Sequence, residues 1–149
     1  FAIAAAIFLI IVTPSFMLWE KYTRDIDSYD KQLSLQIAAL SASDQLVKHP
    51  GVPKNWTYTN FTTIGIASKP HIINQSKLNN LSSMNYSDIK KGLNIVGKEL
   101  HLKIYYINNT LILEKGLNAT QKSEIVTTTR FAHLNNQTVK IEVQTWQEV

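Results

Sequence analysis

Hydrophobic positions follow two different regimes along the chain. From residue 1 to residue 19 they are nearly continuous, interrupted only by Thr13, Pro14 and Ser15, and the first charged side chain is Glu20. The strongly apolar members are Phe1, Ile3, Ile7, Phe8, Leu9, Ile10, Ile11, Val12, Phe16 and Leu18. At about 1.5 Å per residue, a helix over this run comes close to the roughly 30 Å hydrocarbon core of a bilayer. The length fits a single membrane pass, with a buried core helix of a larger assembly as the alternative. These side chains favour insertion by roughly 3 to 6 kcal/mol, while Pro14 removes a helix hydrogen bond at about 3 kcal/mol and predicts a kink. Trp19 and Tyr22, with Lys21 and Arg24, fall where an interfacial belt is expected.

The helical repeat continues past this segment. Ile26, Tyr29, Leu33, Ile37, Leu40 and Val47 recur at spacings of three, four and seven, and no Pro or Gly intervenes between Pro14 and Pro50. A second apolar set, Leu35, Ala38, Ala39, Ala42 and Leu46, lies off that stripe, so the helix has more than one face to bury. A continuous helix to about Lys48 is roughly 70 Å long. Asp25, Asp27 and Asp30 beside Lys21, Arg24 and Lys31 predict a solvated, salt-bridged face.

The sequence His49-Pro50-Gly51-Val52-Pro53 marks a boundary, because Pro50 biases His49 away from helix and Gly51 favours a turn. Residues 1–50 form one region and 51–149 a second, in which the period shifts toward two. Val139, Ile141 and Val143 alternate with Lys140, Glu142 and Gln144, which predicts a half-buried strand. Residues 126–134 supply its hairpin partner across Asn135-Asn136, and 103–107 with 110–113 form a second hairpin across Asn108-Asn109. A further strand is expected at 59–67 and short helices at 77–83 and 87–93. The expected class is α+β: a long N-terminal helix, hydrophobic and kinked near Pro14, followed by a small antiparallel sheet head with short helices.

Composition removes several functions. The 149 residues contain no cysteine, which excludes a disulfide framework, thiol catalysis and cysteine-based metal sites. A net charge of +4 is small and scattered, so no nucleic-acid partner is expected. His49, His71, His101 and His133 lack the i, i+3 or i, i+4 partners of a helical metal pair. No phosphate loop or nucleophile elbow is present. No catalytic residue, metal or cofactor is expected, and the chain does not read as an enzyme.

One motif is over-represented. Asn-x-Ser/Thr occurs at Asn55, Asn60, Asn74, Asn80, Asn85, Asn108, Asn118 and Asn136, never with proline in the middle. Twelve asparagines in this composition give about two such triplets by chance. The excess lies entirely after the apolar helix. It predicts an exported head carrying N-linked glycans, with the hairpin tips Asn108 and Asn136 the most accessible acceptors.

An apolar helix opening on Phe, an amphipathic extension and a small β-rich head together resemble type IV pilins. The stretch Ser43-Asp44-Gln45-Leu46-Val47-Lys48-His49-Pro50-Gly51-Val52-Pro53-Lys54-Asn55-Trp56 is similar to the junction of archaeal pilin-like proteins with a class III signal peptide. Further matches are Gly65-Ile66-Ala67, Lys77-Leu78 with Leu81, Tyr86 to Lys90 with Leu93, Arg130 and Trp146. The resemblance implies that a prepilin peptidase cuts before Phe1. It also implies that the helix sits in the cytoplasmic membrane before the pilus assembly machinery moves it into a filament core.

The product would be a homopolymer, an extracellular surface filament serving adhesion, with heads and glycans outward. Packing residues would be Phe1, Ile3, Ile7, Phe8, Leu9, Ile10, Ile11, Val12 and Phe16, with Ala2, Ala4, Ala5 and Ala6 permitting close helix approach. The alternatives are a membrane-anchored or minor pilin-like glycoprotein with a binding head, and an archaellin. The chain departs from bacterial type IV pilins by Ala5 in place of their glutamate. A buried, unpaired Phe1 ammonium would be costly, so that amine is expected beside a neighbour's carbonyl or polar group, or modified.

Overall fold

In the computed structural model, α1 is a single helix, Ala2–Lys48, with Pro14 inside it. The structure describes residues 2–119 and 124–147; in α1 the side chains at 2, 4–7 and 9–11 are not described. The expectations for Phe1 and for the Ile7, Leu9, Ile10 and Ile11 side chains therefore lie outside the described residues. The chain divides into two compact units, Phe1–Ser34 and Leu35–Val149.

In the second unit, α1 is followed by β1 (Ala67–Lys69), β2 (Ile72–Ile73), α2 (Gln75–Ser83), α3 (Tyr86–Gly92), β3 (Glu99–Tyr106), β4 (Leu111–Gly116), β5 (Val126–Leu134) and β6 (Gln137–Trp146). The strands form a six-stranded sheet in the order β1-β2-β5-β6-β3-β4. Both hairpins form across their asparagine turns. Asn109, Asn135 and Asn136 have positive φ, which asparagine tolerates better than most residues. Leu134 pairs with Gln137 to close the β5–β6 turn. The sheet is mixed rather than wholly antiparallel, since β2 runs parallel to β5.

One face of the sheet supplies Leu100, Leu102, Ile104, Ala132, Leu134, Val139, Ile141 and Val143 to the core. Against it lie the buried positions of the last turns of α1, Ala42, Leu46 and Val47, with Leu35 and Ala39 also buried. Most of the second apolar set thus meets the sheet, whereas Ile37 and Leu40 of the first set face solvent. Polar contacts fix the register. The Arg130 guanidinium donates from Nε to Asp44 Oδ1 at 2.7 Å, and the Thr145 hydroxyl donates to the Leu35 carbonyl at 3.0 Å. Gln45 Nε2 donates to the carbonyls of Ile64 at 2.7 Å and Gly92 at 2.8 Å, so one helical side chain holds a loop and the end of α3.

The strand expected at 59–67 is not there. Only isolated bridges, Val52 to Thr63 and Thr57 to Asn60, occur in this stretch, and regular pairing starts at Ala67. Its backbone donors go elsewhere: Ile66 to Leu46 O at 3.1 Å, Ala67 to His49 O at 3.3 Å and Ile64 to Gly92 O at 3.0 Å. The loop serves the otherwise unpaired carbonyls where α1 ends. Lys77 completes this closure, donating from Nζ to Pro50 O at 2.6 Å and Ala67 O at 3.2 Å. Burial, with the nearby Lys54 charge, pushes the Lys77 ammonium pKa down. Gly65 is required by close approach, because a Cβ there would stand 2.1 Å from the His49 carbonyl oxygen.

Carboxylates tie these elements together. Hydrogen bonds from Lys48 and then Arg130 hold the Asp44 pKa below its ordinary value. Lys103 and His101 do the same for Glu114. At Glu99, burial acts in the opposite direction, but the Lys90 and Tyr86 hydrogen bonds prevail. Groups depressed in this way contribute stability above their unfolded pKa, and it is lost as pH falls through the lower folded value. The head's unfolding midpoint should therefore drop on acidification below about pH 4. Asp44→Asn should be less stable at neutral pH and show a shallower acid decline in urea titrations at stepped pH; an unchanged acid limb would remove Asp44 from this account.

Candidate functional site

The first unit presents its apolar side chains to solvent. All residues from 12 to 34 are exposed, including Val12, Phe16, Met17, Leu18, Trp19, Tyr22, Ile26, Tyr29 and Leu33, as are Ile3 and Phe8 further back. On a 3.6-residue repeat, Ile3, Phe8, Phe16, Met17 and Leu18 point around much of the helix circumference. Tyr22, Ile26, Tyr29 and Leu33 instead share one side, with most of the charged residues opposite. An all-round apolar helix giving way to a one-sided one requires enclosure first and a single contact face next.

Exposure here is extreme. Ile3 is 78% exposed, Trp19 73% and Phe16 61%. Soluble monomers rarely leave contiguous apolar surface of this extent uncovered. Two polar side chains in this unit fold back on their own helix, Thr23 donating to Trp19 O at 3.0 Å and Arg24 to Glu20 O at 3.3 Å. The expected salt-bridged face is corrected: among the described residues no ion pair joins the acidic residues at 20, 25, 27 and 30 to Lys21, Arg24 or Lys31, and all of these residues are exposed. Among the described residues no helix is long and apolar enough to cross a membrane.

The sequon asparagines belong to the second unit and have distinct local roles. Asn74 and Asn85 cap α2 and α3, accepting through Oδ1 from the Lys77 amide at 3.2 Å and the Asp88 amide at 2.8 Å. Asn108 closes an Asx turn by accepting from the Thr110 amide at 3.0 Å, and Asn136 occupies a positive-φ turn position. In Asn80 the amide nitrogen itself is engaged, donating to the Trp56 carbonyl at 3.1 Å. Asn55, Asn60 and Asn118 are exposed. The Asn108 and Asn136 turns match the hairpins expected from the sequence, whereas the two caps do not appear in that reading, although an Asn immediately before each short helix was a readable signal.

Among the described residues no group of three His, Asp or Glu side chains could hold a metal ion. An open groove of about 570 Å³ separates the two hairpin tips, lined by Tyr106, Ile107, Asn108, Thr110, Gln137 and Thr138.

Comparison with protein-family models, with curated proteins and with solved structures gave no match. The architecture therefore stands on its own geometry: a long N-terminal helix whose last turns pack on a mixed six-stranded sheet, a plan consistent with a pilin-like fold.

Proposed function

We propose that this chain is the structural subunit of an extracellular filament of the type IV pilin kind, and more narrowly an archaeal pilin with a class III signal peptide. The observation that carries this reading is the helix of the first unit, whose large apolar side chains from Val12 to Leu33 are all exposed. Apolar burial stabilises by roughly 25 cal/mol per Å², so a helix left in this state has a strong drive to acquire neighbours. Identical copies offer the same surface, and repetition around an axis encloses it on every side. The narrower assignment rests on the residue series from Ser43 to Trp56 and the later matches in the head. N-linked glycans and a role in surface adhesion belong to the same proposal.

The test is electron cryomicroscopy of filaments sheared from the cell surface, with mass spectrometry of their main polypeptide. The expected result is a polymer of this chain with residues 1–34 enclosed at its axis. If the protein remains with the membrane fraction and no filament contains it, the reading fails and an anchored binding head takes its place.

A further inference from the structure

The eight sequons differ in what holds their central residue. In four of them that residue is apolar or aromatic and anchored in the head. Trp56 is 1% exposed and Leu81 is fully buried, while Phe61 and Tyr86 pack against the core. Tyr86 is further tied by its hydroxyl to Glu99 and to the Leu100 amide. In three others the central residue is Gln75, Asn109 or Gln137, and all three are exposed. The triplet at Asn118 runs into residues outside the description.

The three triplets with exposed central residues lie together, Gln75 being held only by side-chain hydrogen bonds, from its Nε2 to Asn79 Oδ1 at 3.0 Å and from Asn135. Asn135 Nδ2 donates to Gln75 Oε1 at 3.2 Å, which brings the start of α2 against the β5–β6 turn that carries Asn136. The groove lined by Asn108, Thr110, Gln137 and Thr138 joins that turn to the β3–β4 turn. Asn74, Asn108 and Asn136 thus mark one rim of the head. At Asn74 and Asn108 the structural hydrogen bond uses Oδ1, so Nδ2 is not the atom engaged.

Glycosyl transfer joins Nδ2 to the anomeric carbon of a lipid-linked oligosaccharide. The lipid phosphate leaves with the bonding electron pair, and the amide gives up one proton. The transferase must therefore surround the asparagine and reach the hydroxyl two residues on. In the folded head, it can do so where the central residue is exposed and outside the core; elsewhere it must pull Trp56, Phe61, Leu81 or Tyr86 from its seat.

From this geometry we propose that the head is glycosylated after folding, at the rim sites Asn74, Asn108 and Asn136, and that Asn55, Asn60, Asn80 and Asn85 stay bare. The proposal rests on the exported-head reading given above. The experiment is site-resolved glycopeptide mass spectrometry of the protein purified from its native cell surface, alongside Ser76→Ala, Thr110→Ala and Thr138→Ala. These variants destroy each rim sequon while leaving its cap or turn asparagine in place.

The expected result is glycan on the three rim sites in most molecules, with each variant losing one glycan mass. Occupancy of Asn55 or Asn80 comparable to the rim would overturn the proposal by showing modification before folding. A bare rim would overturn it equally. The two readings fail separately: unglycosylated filaments sink only this proposal, whereas a rim-glycosylated protein that never polymerises sinks only the filament.

Discussion

Cells carrying Phe8→Asp should make no filaments, while the isolated variant protein keeps the thermal unfolding midpoint of the wild-type head. Phe8 lies in the first unit and is 64% exposed, so the folded head does not depend on it. In an assembled core the same position would be surrounded by apolar side chains. A carboxylate placed there without a partner carries an effective penalty of several kcal/mol per subunit, and every subunit added incurs it again. Ile7→Asp and Leu9→Asp should behave alike if the core extends to those positions, and Phe8→Leu should restore assembly. Because the contacts are apolar, filaments should also persist in high salt. Electron microscopy of sheared fractions decides the matter: normal filaments from Phe8→Asp would exclude residue 8 from the core.

Trp56→Ala is expected to be the most damaging single change in the head. The indole is 1% exposed, and its Nε1–H donates to the Gly65 carbonyl at 2.8 Å. Its ring also lies against Gly51, where an added Cβ would come within 2.5 Å of it. Truncation to alanine removes a large core side chain at about 3 to 5 kcal/mol. It also leaves the Gly65 carbonyl without its donor, at about 1 to 3 kcal/mol if water cannot enter. Against the 5 to 15 kcal/mol that holds a typical domain together, either loss is severe. The unfolding midpoint should fall on the order of 20 °C, or the variant should be recovered only as aggregate. Trp56→Phe should keep most of the packing and lose the hydrogen bond. A midpoint within a few degrees of wild type for Trp56→Ala would mean that the loop is not part of the core.

Much of the fold could be read in advance, for identifiable reasons. The continuity of α1 followed from the absence of Pro and Gly between Pro14 and Pro50. The β5–β6 hairpin followed from the alternation of residues 139–144 and from the tolerance of Asn135-Asn136 for a tight turn. The stretch from Val52 to Ile66 could not be read in this way. Its apolar residues do alternate with polar ones, but their backbone donors serve the end of α1 and the end of α3, and local pattern holds no trace of partners so distant. β1 and β2 were equally invisible, being three and two residues long. The parallel seat of β2 on β5 depends on contacts such as His71 N–H to Val47 O at 2.7 Å and His133 N–H to His71 O at 2.8 Å.

For the candidate site, the sequence showed which residues are apolar and which asparagines form triplets. It could not show that the two apolar faces of α1 have different fates, because Leu35 and Leu46 look no more buriable than Ile37 and Leu40. Only the sheet distinguishes them. The division among sequons was closer to the surface of the text: Trp56, Phe61, Leu81 and Tyr86 against Gln75, Asn109 and Gln137 is a contrast of polarity. Its meaning needed the fold, which seats the first four in or against the core and brings the other three to one rim.

If the chain polymerises as proposed, the attachments between α1 and the rest of the head also set how it bears load. Tension carried along the helix of an assembled filament would enter the head between residues 35 and 47. Over that length of roughly 18 Å, the helix is held at Leu35 by Thr145, at Asp44 by Arg130, at Gln45 by the Ile64 and Gly92 carbonyls, and by the buried residues between Leu35 and Val47. A pull along the axis shears these contacts together instead of peeling them one after another. Rupture then requires many weak contacts to give way at once, and the mechanical strength of the joint exceeds that of any bond within it.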